Sequence, residues 1–193
     1  MPTTDTPEGE RVANALALLH EWTGGESLRR HAYAVAAAMA YYAEQLGEDT
    51  EAWRVAGLLH DLDYERYTTA ERHPYIGVEE LERLGYPEEI RQAILGHVPR
   101  TGVARETAMA RALFAVDELA GFVVAVARVR PDGLRGLEPR SVIKKLKDKA
   151  FAAAVSREDV RQGAEELGLP LDAHVANVIA ALQREADRLG LAA

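Results

Sequence analysis

Apolar residues recur along much of this chain every three or four positions, which is the spacing of one face of an α-helix. The first such segment runs from about Glu10 to Trp22, and Gly24 and Gly25 then interrupt it. The same spacing, with turn and capping signals, predicts further helices over residues 27–47, 50–61, 74–85, 87–97, 104–130 and 172–190, and another from Ser156. No segment alternates in the way that predicts a strand. The pattern therefore predicts an all-α helical bundle.

Capping residues and prolines sharpen several of these helix starts. Ser27 is placed to cap the helix over residues 27–47. Ser156 precedes Asp159 by three positions, which resembles a capping box with Asp in place of Glu or Gln. Pro74 and Pro87 suit the first turn of a helix.

The segment from Pro131 to Pro139 is the clearest candidate boundary, and a basic stretch follows it. We therefore divide the chain into a flexible tail over residues 1–9, a helical domain over residues 10–130 and a helical extension over residues 131–193. The extension is expected to pack on the same domain.

Composition narrows the chemistry. Apolar residues make up 48% of the chain and charged residues 28%, as in soluble globular proteins. The formal net charge of −8 argues against long nucleic acids as partners. Because there is no cysteine, disulfides, thiol nucleophiles and thiolate zinc sites are excluded, and any metal must be held by His, Asp and Glu.

Nothing in the sequence predicts a membrane or secretory segment. Residues 1–11 are polar and lack an apolar signal core. The most apolar run, residues 112–127, contains two acidic side chains and is shorter than the ~20 residues that a membrane span needs. We expect a cytoplasmic protein with no membrane partner, and the sequence also allows a homo-oligomer.

Three segments place metal-ligating side chains in apolar helices. His60 and Asp61 are adjacent at the end of one such helix, and His31 lies mid-helix among alanines. Asp117 lies inside the apolar run, where an unpaired carboxylate would cost several kcal/mol. A metal ion would satisfy these groups, although a lone buried His or Asp is more commonly only hydrogen-bonded.

In order and helical setting, these residues resemble the HD superfamily of metal-dependent phosphohydrolases, whose pattern is a His, a His-Asp pair and a distant Asp. The resemblance covers roughly residues 27–130 through R30-H31-A32, L59-H60-D61-L62-D63 and A115-V116-D117-E118-L119. It implies a helical bundle in which His31, His60, Asp61 and Asp117 bind a divalent ion. Residues 144–152 also resemble the tail of a small bacterial branch of that family.

Some branches of the family bind a second ion, with the Asp of the pair bridging and two further histidines as ligands. By that resemblance His73 and His97 are the additional ligands. The alternative is that His73 is a loop residue and His97 caps a carbonyl. One or two ions are expected, and mixed imidazole and carboxylate ligands suit Mn, Fe, Co, Ni or Zn, with Mg also allowed.

Other polar residues are candidates for catalysis and substrate binding. Asp61 is both a ligand and a catalytic candidate, and Asp63 and Glu65 are placed to orient water or protonate a leaving group. The alternative for Asp63 is a turn residue. Candidate phosphate-binding cations are Arg30, Arg66, Lys144, Lys145 and Lys147, although the sequence favours a solvated helix face as the explanation of the lysines.

The remaining histidines and the paired aromatic residues have simpler interpretations. His20 and His174 lie near predicted helix ends among polar neighbours, so both are interpreted as surface residues. Packing in the core or at its edge is predicted for Trp22, Trp53, Tyr41 and Tyr42.

The sequence thus predicts a metal-dependent hydrolase that uses activated water on a phosphate ester or anhydride of a small molecule, with a nucleotide as the default. It does not separate monoester, triphosphate and cyclic-diester substrates. The alternative is a non-catalytic metal- or nucleotide-binding regulatory module on the same scaffold. A helical interaction protein with only buried hydrogen bonds is a third interpretation.

Overall fold

The computed structural model describes residues 9–67, 69 and 71–192, so the predicted tail lies outside the described residues except for Gly9. This part of the chain contains ten α-helices, a short 3₁₀ turn at Pro99–Thr101 and no strand, which confirms the all-α prediction. The helices are α1 (Glu10–Trp22), α2 (Glu26–Leu46), α3 (Thr50–Leu59), α4 (Tyr75–Arg83), α5 (Glu88–Gly96), α6 (Ala108–Arg128), α7 (Pro139–Leu146), α8 (Arg157–Glu166), α9 (Leu171–Arg184) and α10 (Ala186–Leu189).

Helix α2 lies at the centre of the bundle, with α3, α6 and α9 packed on it. It is rich in alanine, and residues 34–40 are all buried. Small side chains let a neighbouring helix approach closely. A Cβ added to Gly57 of α3 would lie 2.6 Å from the Cα of Ala36. The backbones of α2 and α3 therefore nearly touch, just before the end of α3 at His60.

Helix α6 is apolar on nearly all sides because α2, α5 and α8 enclose it. It begins at Ala108 rather than near the predicted residue 104. Thr107 provides the cap by accepting a hydrogen bond from the Ala110 N–H over 3.1 Å. Arg105 stays outside the helix and pairs with Glu166 of α8. The one-turn overestimate arises because the residues before Thr107 are held by tertiary contacts.

The helices after residue 130 complete the same core. Residues 131–138 form turns and a short extended stretch between α6 and α7, α8 packs on α6, and α9 packs on α2 and α7. Val160 and Val175 are fully buried in one apolar cluster with residues of α2 and α6. As predicted, Ser156 caps α8 by accepting a hydrogen bond from the Asp159 N–H over 3.2 Å.

Two predictions about helix ends are wrong. Ser27 does not cap α2, because that helix begins one residue earlier, after Gly25. Its amino end is satisfied instead by Glu65, whose carboxylate accepts hydrogen bonds from the Gly24 and Gly25 N–H groups over 2.6 and 3.0 Å. The predicted helix over residues 172–190 is two helices, since Glu185 has non-helical dihedrals of φ −115° and ψ 18°.

His174 is not a surface residue. It is fully buried, its Nε2 lies 2.9 Å from the Ala115 carbonyl oxygen, and its Nδ1 lies 2.6 Å from the Tyr42 hydroxyl. Burial lowers the pKa of His174 below 6.5 and raises that of Tyr42 to about 12. The pair joins α9 to α2 and α6.

The other side chains of this group lie where the sequence predicts. His20 is exposed, with its ring nitrogen 2.5 Å from the Tyr33 hydroxyl. Trp53 and Tyr42 are in the core, whereas Trp22 and Tyr41 pack at its edge. Among the described residues, none of the helices combines the length and apolar character that a membrane crossing requires.

Candidate metal centre

Four polar side chains meet where α2, α3 and α6 come together. His31 projects from α2, His60 ends α3, Asp61 follows it, and Asp117 projects from α6. The Nε2 atom of His31 lies 2.9 Å from Oδ1 of Asp117 and 3.3 Å from Nε2 of His60. His60 Nε2 is 3.5 Å from oxygens of both Asp61 and Asp117. Residues 86 positions apart in the chain are thus brought into direct contact.

A second pair of histidines approaches the other oxygen of Asp61. His73 Nε2 is 3.4 Å and His97 Nε2 is 3.6 Å from Oδ1 of Asp61, whereas Oδ2 faces His60 and His31 at 3.5 and 4.0 Å. The two Asp61 oxygens therefore face different histidine pairs. We call these six side chains the donor cluster: His31, His60, Asp61, His73, His97 and Asp117.

Hydrogen bonds at Nδ1 fix the orientation of three of these imidazoles. His60 Nδ1 donates to the Gly57 carbonyl over 2.8 Å, and His97 Nδ1 donates to the Ile94 carbonyl over 2.5 Å. A carbonyl oxygen can only accept, so Nδ1 carries the proton in both rings. The Nε2 atoms that face Asp61 are left with their lone pairs as ligand positions.

Asp63 holds His73 in the same way. Its Oδ1 lies 2.7 Å from His73 Nδ1, and its Oδ2 accepts a hydrogen bond from the Gly77 N–H over 2.7 Å. Asp63 is fully buried, and both of its oxygens are used. In this structure both oxygens of Asp63 are therefore engaged in orienting His73 and the amino end of α4, and Asp63 does not reach the cavity.

The donor cluster concentrates opposite charges in a buried place. Burial alone would lower the pKa of His60, but the Asp61 and Asp117 carboxylates outweigh it and raise that pKa to about 9. Although burial also opposes charge on Asp61 and Asp117, the surrounding histidines hold the pKa of both below 3.8. The carboxylates thus remain negative and require cationic partners.

The spacing of the donors suits divalent metal ions. An ion with bonds of about 2.0–2.2 Å separates adjacent ligands by roughly 3 to 3.6 Å. Most of the nitrogen–oxygen distances given above, 2.9 to 3.6 Å, fall in this range. Three groups of donors have all their ligand atoms within 4.8 Å of one another, and they are His31–His60–Asp61, His60–His97–Asp117 and Asp61–His73–His97. Nitrogen and oxygen donors without thiolates fit Mn, Fe, Co, Ni or Zn.

A cavity of about 460 Å³ opens onto the donor cluster, within the usual range for small-molecule sites. Five cluster members line it, and His60 lies behind them. Further lining comes from the turn after Asp61 (Tyr64), from residues 98–100, from α6 (Phe114, Glu118 and Gly121), and from Ala154, Val155 and Asp159 after α7.

Arg100 and Tyr64 are two of the lining residues that were not among the candidates from the sequence. Arg100 lies in the 3₁₀ turn three residues after His97, and it donates to the His73 carbonyl over 2.5 Å. Tyr64 is 47% exposed, and its ring meets the ring of His73 edge-on at 5.1 Å. Their closeness in sequence to His97 and Asp63 was the only available signal.

Glu118 carries the most perturbed carboxyl of the cavity wall outside the donor cluster. Burial, with the charge of Asp117, raises the pKa of Glu118 to about 7. Its Oε2 accepts a hydrogen bond from the Ser156 N–H over 3.2 Å. Glu118 therefore connects α6 to the segment before α8.

Besides Asp63, six residues that the sequence offered as catalytic or substrate-binding candidates do not line this cavity, and they are Glu65, Arg30, Arg66, Lys144, Lys145 and Lys147. Glu65 caps α2 as described above. Arg66 donates to the carbonyls of Trp22 and Glu21, and Arg30 pairs with Glu26. The lysines lie on or just after α7, where Lys145 approaches Asp148 and the ring of Phe151. Local contacts engage these arginines and Lys145, so we place none of the six at the site.

Comparison with known proteins identifies the family. The family model of the HD domain matches residues 28–121, which include every member of the donor cluster. Comparison with curated proteins and with solved structures found no match. Residues 28–121 are therefore an HD domain, a family whose members are generally metal-dependent phosphohydrolases.

Proposed function

We propose that this protein is a metal-dependent phosphohydrolase that acts on a small phosphorylated molecule, with a nucleotide as the default substrate. The observation that carries the proposal is that the two carboxylate oxygens of Asp61 face different pairs of histidines. One oxygen faces His31 and His60, and the other faces His73 and His97. This arrangement supports a centre for two divalent cations that share Asp61.

The proposed ligands of the first cation are His31, His60, Asp61 and Asp117, and those of the second are Asp61, His73 and His97. Divalent cations bound there would supply an activated water at neutral pH and offset charge on the phosphoryl oxygens. Asp63 and the carbonyls of Gly57 and Ile94 keep the imidazoles in the required tautomer. Ligand-orienting partners of this kind tune both affinity and reactivity.

The cavity wall supports a small phosphorylated substrate. Among the described lining residues, Arg100 is the one Arg or Lys, and its guanidinium is proposed to contact a phosphoryl oxygen. Tyr64 presents an exposed ring beside His73, where it could contact the leaving group. Asp159 adds negative charge to the wall, and Glu118, whose pKa is raised to about 7, adds further negative charge as the pH rises above that value. A polyphosphate would meet more repulsion here than a monoester, so we place the phosphomonoester first among the substrates.

Two measurements on one preparation test the proposal. Protein purified without chelator or affinity tag is analysed for Mn, Fe, Co, Ni and Zn, before and after reconstitution. The same samples are assayed for phosphate release from nucleoside mono- and triphosphates. We expect one to two ions per chain and metal-dependent release of phosphate, both lost in Asp61→Asn and both kept in the exposed control Asp172→Asn.

The alternative of a regulatory module gives a different result. Metal bound by the wild-type protein with no phosphate released from any member of the panel would favour that module. A metal content near zero, unchanged by reconstitution, would exclude both the hydrolase and a metal-binding module.

A further inference from the structure

One wall of the cavity comes from outside the HD domain. Residues 148–156, which we call the wall loop, connect α7 to α8 and contain no helix. Ala154 and Val155 of this loop line the same cavity as His31 and Asp117. The extension after residue 130 therefore limits the space in front of the donor cluster.

A single side chain donates hydrogen bonds to several backbone carbonyls of the wall loop. The guanidinium of Arg157, the first residue of α8, donates from Nη1 to the carbonyls of Ala152 and Val155 over 2.6 and 2.7 Å. Its Nη2 donates to the carbonyl of Asp148 over 3.2 Å and also to that of Phe151. A guanidinium offers its donors in a rigid planar fork, which an ammonium group cannot reproduce. Four carbonyls of one loop thus converge on one charge.

The same arginine fixes the loop against a ligand-bearing helix. The Arg157 guanidinium carbon lies 5.0 Å from the centre of the Phe122 ring on α6, and the Phe151 ring meets Phe122 edge-on at 5.6 Å. The Ser156 N–H donates to Glu118, which follows Asp117 on α6. The position of the wall loop relative to the donor cluster is therefore set through α6.

The loop has few other means of holding its shape. Four of its nine residues are alanines, which bury little apolar surface, and Phe151 is its one aromatic side chain. Two backbone hydrogen bonds lie within it, Phe151 to Asp148 at 3.3 Å and Val155 to Ala152 at 3.1 Å. Removing the guanidinium would leave the carbonyls of Phe151 and Val155 without a described protein partner, and those of Asp148 and Ala152 with only these two bonds, so the loop would lose most of what fixes its position.

We propose that Arg157 is a specificity-determining positioning residue. It holds the wall loop so that the cavity admits a phosphomonoester with a compact leaving group and excludes the phosphorylated end of a polymer. This inference rests on the proposed phosphohydrolase function, which supplies the reaction by which specificity is measured.

The test compares Arg157→Met and Arg157→Lys with Arg161→Met, one turn further along α8. Arg161 is exposed, and its one described hydrogen bond is to the Arg157 carbonyl. The two probes are p-nitrophenyl phosphate and a 5′-phosphorylated tetrathymidylate, which carry the same reacting group on leaving groups of different size. Wild type should prefer the small probe. In Arg157→Met the ratio of kcat/KM should shift towards the oligonucleotide by about tenfold or more, which is the discrimination that a small change of steric fit in a pocket commonly makes.

Hydrogen exchange, metal content and Tm are measured alongside the ratio of kcat/KM for the two probes. Amide hydrogen exchange across residues 148–156 should accelerate in Arg157→Met and, to a smaller extent, in Arg157→Lys. It should not change in Arg161→Met, and metal content should be equal in all variants. A role confined to stability would lower Tm without altering the ratio between probes. Arg157→Lys keeps the charge, so it provides the comparison should Arg157→Met fail to fold.

Each outcome decides the proposal. Unchanged exchange in the loop would show that Arg157 does not hold it, and faster exchange with an unchanged ratio would show that the loop does not select substrates. If wild type hydrolyses neither probe, the ratio between probes cannot be used, and the proposed activity is judged by the nucleotide panel described above. In that case, the claim that Arg157 holds the wall loop over the donor cluster is tested by the rate at which diethyl pyrocarbonate modifies His31 and His97 in metal-free protein. Faster modification in Arg157→Met than in Arg161→Met would support that role of Arg157, and equal rates would overturn it.

Discussion

Replacing Gly57 with alanine would push apart the two helices that carry His31 and the His60–Asp61 pair. The added Cβ would lie 2.6 Å from the Cα and 2.8 Å from the N of Ala36, where ordinary contact begins at 3.4 Å, so α2 and α3 must separate by about 0.8 Å. Overpacking of this kind costs about 1–3 kcal/mol, and alanine returns up to about 1 kcal/mol of helix propensity. We expect a net loss of about 1–2 kcal/mol.

The loss should be visible in both stability and metal binding. For a protein of this size, it corresponds to a Tm lower by roughly 2–8 °C. Metal ligands must be held within about 0.5 Å of their productive geometry, so the separation should also weaken metal binding, by about 10- to 100-fold. Thermal unfolding of the metal-free protein and metal titration of the folded protein measure the two effects separately.

Two comparisons make the prediction specific. The Cβ added by Gly163→Ala would lie 2.5 Å from the Cα of Ala115, so this variant should lose similar stability. It should lose less metal affinity than Gly57→Ala, because only one of the two helices in contact, α6, carries a member of the donor cluster. Ala36→Gly should not rescue Gly57→Ala, since the clash is with backbone atoms. A Gly57→Ala protein with wild-type Tm and metal affinity would refute the claim that this contact sets the geometry of the centre.

Three further variants test the centre and the core. Asp61→Asn removes the charge shared by both proposed cations, so metal content should fall below one ion per chain and phosphate release should be abolished. Asp63→Asn should lower metal affinity by about 10- to 100-fold, because His73 loses its orienting carboxylate. Burial lowers the pKa of His174 below 6.5, so below that pH the unfolded chain binds a proton that the folded protein refuses. The unfolding free energy should therefore fall as pH drops below 6.5 and be constant above it with respect to this group, and His174→Gln should remove that dependence.

Elemental analysis, metal titration and urea unfolding at about pH 7.5 and about pH 5.5 check these three expectations. Asp172→Asn serves as the matched carboxylate control for the first two. Full metal occupancy in Asp61→Asn would contradict the shared-ligand assignment, and unaltered affinity in Asp63→Asn would leave that residue with no role at the centre. Identical pH dependence in wild type and His174→Gln would show that other groups govern stability in this range.

Local pattern was sufficient for most helices. The bounds of α1 agree with the prediction, and the interruptions at Gly24, Gly25 and Gly47 lie where the sequence indicated. The pattern failed where a distant residue provides the contact. Glu65 caps the amino end of α2 from about forty positions away, and Tyr42 covers His174 across 132 positions. The spacing of apolar residues carries no information about such pairs.

At the candidate site, too, some residues could be predicted from the sequence and others depend on tertiary packing. The six members of the donor cluster were proposed from their resemblance to a family pattern, and the fold brings all six together. Neither Arg100 nor Arg157 belongs to that pattern, and the lysines after residue 143 attracted attention only through their charge. Which basic side chain faces the cavity depends on how α7 and α8 pack on α6. The spacing of residues in a single sequence does not reveal that packing.

The match to the HD domain stops at residue 121, inside α6, which continues to Arg128. A truncated chain ending there would lack the last turns of α6, including the buried Phe122, Val123 and Val126, together with α8 and α9, and so would expose the apolar side chains that these elements cover. Burying each such side chain is worth about 1.5–3 kcal/mol, so the fragment should aggregate rather than fold. The end of the HD-domain match is therefore not the end of the unit that folds. Substitutions on the cavity face of the extension can therefore change the shape of the cavity, whereas loss of the extension would remove part of the core that holds the donor cluster together.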